Sequence, residues 1–112
     1  MGVRVENTPE KMIVWLSGEI DHHTARQIRE QVDNAVEMLK PKRLCLDFGE
    51  VGFMDSSGIG LIMGRYRLIQ LYGGDLEIIN ASERVRKVIQ FAGLERLHVL
   101  KEKEDVNAGK SR

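Results

Sequence analysis

The chain has 112 residues, 42% of them apolar and 30% charged, and its seventeen basic and seventeen acidic side chains cancel. That length holds one hydrophobic core, so a single domain over residues 1–112 is predicted, with a radius of gyration of roughly 13 Å. Disorder would need less apolar content and more net charge. A direct nucleic-acid binder would show a basic surplus or cluster, and a membrane span would need about 18 consecutive apolar residues. One cysteine, Cys45, leaves no internal disulfide and no Cys-x-x-Cys zinc motif. The N-terminus turns polar at once and lacks the apolar stretch of a signal peptide. Met1-Gly2 invites myristoylation, but the sixth residue is Glu6 rather than Ser or Thr. A cytoplasmic protein without metal or cofactor is the resulting expectation.

Val3 to Glu6 alternates and predicts a short edge strand. Asn7-Thr8-Pro9-Glu10 is a turn cluster, and Met12 to Leu16 reads as a strand buried on both faces, with Trp15 in the core. Together they predict a hairpin. Thr24 and Gln27 are spaced as a capping box, followed by Ala25, Ile28, Val32, Ala35, Val36 and Leu39 at helical spacing. Pro41 stands where a helix stop belongs. Leu44 to Phe48 is a third strand, and Gly49 to Gly52 a polar loop. A second helix is predicted from about Ser56 to Tyr72, ended by Gly73-Gly74. Asp75 to Ile79 is a fourth strand and Ser82 caps a third helix, which Gly93 stops. Leu97 to Leu100 is a last strand, and residues 101–112 form a polar, frayed tail. The order β-β-α-β-α-β-α-β predicts an α/β fold. Its sheet is mixed but mostly parallel, of about five strands with three to four helices.

In such folds, function gathers where strands end and helices begin. Two segments meet that description: Glu19 to Thr24, and Met54-Asp55-Ser56-Ser57-Gly58-Ile59-Gly60. In the second, two hydroxyls sit at a helix start beside Asp55. Capping explains one of them, since Ser and Asp are preferred caps, and leaves the other unexplained. A serine nucleophile would need Gly-x-Ser-x-Gly, and Met54 stands at the first glycine position. A dinucleotide loop fails on position, because the glycines do not open the first βαβ unit, and Asp55 would repel a pyrophosphate. A switch remains: phosphorylation adds about −1.5 to −2 charges to a serine at a helix start. Gly58, Gly60 and Gly64 leave one helix face without side chains, either for tight packing or for a docked partner.

Four segments, in this order and spacing, resemble the STAS-domain anti-sigma factor antagonists of sporulating Gram-positive bacteria. They are Gly18-Glu19-Ile20-Asp21-His22-His23-Thr24-Ala25, Phe53 to Gly60, Gly64-Arg65-Tyr66 and Gly73-Gly74. The His-His pair and the second serine favour the sporulation type, antagonists of the anti-sigma F factor, over the general-stress type. The resemblance implies a STAS fold over roughly residues 3–100 and a regulatory protein rather than an enzyme. The unphosphorylated form would bind an anti-sigma factor that is also an ATP-dependent serine kinase, and so free the sigma factor. That kinase would phosphorylate Ser56, the serine after the aspartate. A metal-dependent serine phosphatase would restore binding. Asp21, His22, Asp55, Ser57, Gly58, Ile59, Gly60 and Gly64 are the expected partner-contacting residues.

The alternative is a small nucleotide- or anion-binding STAS protein; a module of an anion transporter is disfavoured by the missing span. His22 and His23 diverge as neighbours and have no third ligand at useful spacing, so a loop role is expected. Asp47 and Asp55 imitate a receiver-type acidic pair, but Asp47 stands inside a strand pattern.

Overall fold

The computed structural model describes residues 1–101. Gly2–Asn7 (β1) and Met12–Ile20 (β2) form the predicted antiparallel hairpin. Thr8 closes its turn: the Thr8 amide donates to the Lys11 carbonyl at 2.8 Å, and the Thr8 hydroxyl accepts from the Lys11 amide at 3.1 Å. β2 is fully buried on one face only. Met12, Val14 and Leu16 are inside, whereas Ile13, Trp15 and Ser17 are half-buried. Trp15 is therefore not a core residue. It lies on the outer sheet face under the Arg4 guanidinium, 4.0 Å from the ring centroid.

The first helix, His22–Leu39 (α1), starts before the predicted Thr24 cap. Asp21 is the cap, because one carboxylate oxygen accepts from both His23 and Thr24 amides at 3.0 Å. The Thr24 hydroxyl returns the favour by accepting from the Asp21 amide at 3.0 Å, which completes a box one turn earlier than predicted. Ile28, Val32 and Val36 form the buried face, and Lys40 takes a left-handed φ of 44° before Pro41.

The third strand, Arg43–Met54 (β3), continues through the predicted Gly49–Gly52 loop. Its partner β2 advances one residue fewer at two places, so β3 absorbs two extra residues as bulges. The Asp47 carboxylate holds the first bulge, accepting from the Gly49 amide at 2.8 Å and from the Asn80 side chain at 3.1 Å. Asp47 is thus occupied within the sheet and forms no acidic pair with Asp55.

Ser57–Leu71 (α2) ends in a Schellman motif: the Gly74 amide donates to the Ile69 carbonyl at 2.9 Å and the Gly73 amide to Gln70 at 3.0 Å. Gly73 supplies the positive φ of 73°, and a Cβ on Gly74 would stand 2.7 Å from the Lys42 carbonyl oxygen. Asp75–Ile79 (β4) pairs in parallel with β3, and Glu83–Phe91 (α3) is capped by Ser82, whose hydroxyl accepts from the Val85 amide at 3.2 Å.

The predicted fifth strand does not form. Leu94–Leu97 is a 3-10 turn, and His98 adopts a left-handed φ of 57° that no strand tolerates. Leu100 makes only a single parallel bridge to Ile78. Among the described residues the sheet has four strands in the order β1-β2-β3-β4, flanked by three helices. Residues 102–112 of the predicted tail lie outside the described residues.

The ladder registers place Met12, Val14, Leu44, Leu46, Leu76 and Ile78 on one sheet face, all buried in a shared core with Ile28, Val32, Ile62 and Ile69. Cys45 faces the other way and is also buried; burial pushes its thiol up to about 12, so it stays protonated packing. The radius of gyration is 13.3 Å. For the site, the decisive feature is that β2 and β3 run parallel and end together, Ile20 opposite Met54.

Candidate functional site

Parallel pairing brings the β2–α1 and β3–α2 junctions to the same end of the sheet. The ladder runs one rung beyond the strands, the Asp55 amide donating to the Ile20 carbonyl at 3.1 Å. Asp21 and Asp55, distant in sequence, therefore begin adjacent helices from neighbouring strand ends.

The start of α2 separates duties between its three polar residues. Asp55 is the cap: its carboxylate accepts from the Ser57 amide at 2.8 Å. Its carbonyl accepts from the Gly58 amide, and that of Ser56 from Ile59, both at 3.0 Å. Ser56 makes no side-chain capping bond and is exposed. Capping thus accounts for neither serine hydroxyl in the way the sequence suggests. Ser57 is half-buried and turns toward α1.

Between α1 and α2 lies a groove of about 360 Å³. Its α1 side carries His22, Ala25, Arg26 and Arg29. Ser57, Gly60 and Leu61 form the α2 side. Arg26 and Arg29 escaped the sequence reading. Their signal was the stripe His22, Arg26, Arg29, Asp33, which repeats at three and four residues along α1. Farther along the two helices, buried Arg65 of α2 meets Asp33: Nε stands 2.8 Å from Oδ1, out of line for a hydrogen bond, while Nη2 donates to Oδ2 at 3.3 Å. Desolvation raises the Asp33 carboxyl and lowers the Arg65 guanidinium, so burial works against the charge on both partners. The pair links α1 to α2, and its desolvation cost offsets much of its Coulomb gain.

The three glycines divide in two. A Cβ on Gly58 would run into the Met54 side chain, so that glycine serves packing. Nothing lies within 4 Å of a Cβ on Gly60 or Gly64. Their missing side chains answer no contact inside the described chain. Ile59 is half-buried beside them, and His22 and His23 are exposed in the first turn of α1. Among the described residues no three His, Cys, Asp or Glu side chains are grouped to hold a metal ion, and no helix is long and apolar enough to cross a membrane.

Residues 3–106 match the STAS domain. The chain belongs to the STAS-domain family. An anti-sigma F factor antagonist of Paenibacillus polymyxa is 36% identical over 106 residues, covering 95% of this chain and 90% of the relative. The structure is similar to that of the anti-sigma factor antagonist SpoIIAA in its unphosphorylated form: TM-score 0.80, 33% identity, 98% of this chain and 95% of the other. Bacillus SpoIIAA in its phosphorylated form matches at TM-score 0.72 and 33% identity, over 99% and 100% of the two chains. The expected sporulation-type kinship is thereby found.

Two predictions follow from the helix starts. Gly60→Ala and Gly64→Ala should each raise unfolding stability by up to about 1 kcal/mol, since alanine favours helix and space is open. Gly58→Ala should lower it by about 1–3 kcal/mol by overpacking against Met54. Chemical denaturation of the three variants reads the contrast. The second concerns pH. The Thr24 amide, then the Thr24 hydroxyl and His23 amide, hold the Asp21 carboxyl below its ordinary 3.8 against an opposing desolvation effect. A lowered folded value means stability present above pH about 3.8 and lost as pH falls through the still lower folded value. Asp21→Asn keeps a cap and should flatten that part of the acid-unfolding profile; Asp21→Ala should lower stability at neutral pH as well.

Proposed function

We propose that this chain is an anti-sigma factor antagonist whose binding is switched by phosphorylation of Ser56. The observation that carries the reading is the hydroxyl of Ser56: exposed at the first turn of α2, and released from capping because Asp55 does that work. In the unphosphorylated state the loops around Asp21, His22, Asp55 and Ser57 to Gly60 dock on an anti-sigma factor, which then releases its sigma factor. Gly60 and Gly64 let the partner approach the α2 backbone. Relatives bearing the antagonist name, and a solved relative in a phosphorylated form, support the reading.

The anti-sigma factor is also the kinase. The Ser56 oxygen attacks the γ-phosphorus of ATP, its proton leaves to a base of the kinase, and the bond to ADP breaks. A metal-dependent phosphatase reverses the state by transferring the phosphoryl group to water. The chain itself supplies an acceptor and catalyses neither step. Added charge at a helix N-terminus suits the dipole, so the fold tolerates it. A docked partner does not. An unpaired charge buried at an interface costs about 2–5 kcal/mol, or roughly thirty- to several-thousand-fold in affinity. No refolding is needed.

Calorimetry with the cognate anti-sigma factor tests this. Ser56→Ala should bind as wild type does, and Ser56→Asp and the phosphoprotein more weakly by at least about thirtyfold for the latter. Equal affinity for all three would refute the charge mechanism.

A further inference from the structure

Arg26 and Arg29 belong to no part of the switch described so far. They line the groove between α1 and α2, which opens at its near end on His22 and Ser57. Arg26 has one acidic neighbour, Glu30, at 3.8 Å, and both of those side chains are largely exposed. Such a pair contributes little and leaves the arginine available. Deeper along the helices, Asp33 is paired with Arg65 and feels the charge of Arg29 only as a weaker neighbour. The groove therefore carries a positive surplus in a chain whose total charge is zero. Its α2 wall is bare: Gly60 lines it, Gly64 follows one turn on, and neither has a neighbour where a Cβ would stand.

We infer that this groove is the docking site for an acidic segment of the partner protein, held by Arg26 and Arg29 and laid against the glycine wall of α2. The inference rests on the proposed switch and gives it a chemistry. A segment with carboxylates fits two guanidinium groups, which bind carboxylates in a bidentate fork. Bare helix backbone admits close approach. Continuity with the switch supplies the third argument. Ser57 lines the groove mouth, and Ser56 is its neighbour in the same turn. A phosphoryl group on Ser56 brings about −1.5 to −2 charges to that mouth. Against an acidic occupant those charges are repulsive, and they compete for the same arginines. A basic occupant would be held more tightly after phosphorylation, opposite to the proposed switch.

The test is an affinity measurement of the full chain with the cognate anti-sigma factor at two salt concentrations. Arg26→Glu/Arg29→Glu should weaken binding at least about tenfold at low salt and flatten its salt dependence, because like charges then face each other. Arg26→Lys/Arg29→Lys should keep the salt dependence and lose only part of the affinity, which separates charge from the bidentate fork. Thermal unfolding of the reversed variant should match wild type, as both side chains lie on the exposed helix surface. Unchanged affinity and salt slope in the reversed variant would overturn the inference. So would saturable binding of ATP alone that the reversal abolishes, since the groove would then be a nucleotide site. Ser56→Asp in the same series keeps the two readings apart. If it weakens binding while the arginine reversal does not, the groove assignment fails and the switch stands.

Discussion

The hydrogen bond from the Asp55 amide to the Ile20 carbonyl is the rung on which the site depends. It extends the parallel ladder of β2 and β3 past the last strand residues and holds two helix starts side by side. Were the strands antiparallel, the Asp21 and Asp55 loops would lie at opposite ends of the sheet. The two bulges of β3 serve the same end. They let eleven residues of β3, from Leu44 on, run beside nine of β2 and still finish level, Met54 opposite Ile20. Asp47 stabilises the bulge by accepting from the Gly49 amide across the kink.

At the α2 start, one carboxylate changes what the next residue can do. Asp55 satisfies the Ser57 amide, so no serine has to. Ser56 is left with an exposed hydroxyl on a fixed turn, which is what an acceptor in a transfer reaction requires. Ser57, one residue on, turns into the α1–α2 groove beside two arginines. Adjacent serines of equal chemistry thus face different surroundings. The glycines show the same division: Gly58 fits against Met54, whereas Gly60 and Gly64 leave a helix wall open at a cost in helix propensity. A wall that costs stability and packs against nothing in the described chain makes sense as a surface for another molecule.

Much of this was legible in the sequence because it is written locally. Turn residues at Asn7–Glu10, glycines after α2 and Ser82 before α3 each predict an element end, and each end is found there. The motif around Asp55 to Gly60 marks the candidate site. What sequence could not supply depends on partners distant along the chain. The Gly49–Gly52 segment looks like a loop, yet β2 offers it a continuing edge, and the glycines accommodate the bulges. Leu97 to Leu100 looks like a strand, but the left-handed His98 breaks the extension. Trp15 reads as core until Arg4 is seen covering the outer face of the hairpin. Thr24 and Asp21 both suit a cap, and only the geometry shows the aspartate taking two amides with one oxygen. Arg26 and Arg29 look like a solvated helix face; facing α2 across a groove makes them candidates for recognition.

The central claim is that Ser56, and not Ser57, is the residue the switch acts on. Intact-mass spectrometry after incubation with ATP and the cognate anti-sigma kinase, followed by fragment mapping, tests it most directly. The account predicts a gain of about 80 Da, one phosphoryl group, carried on Ser56 and absent from Ser56→Ala. A phosphoryl group mapped to Ser57, or no gain with a kinase shown to be active, would contradict it.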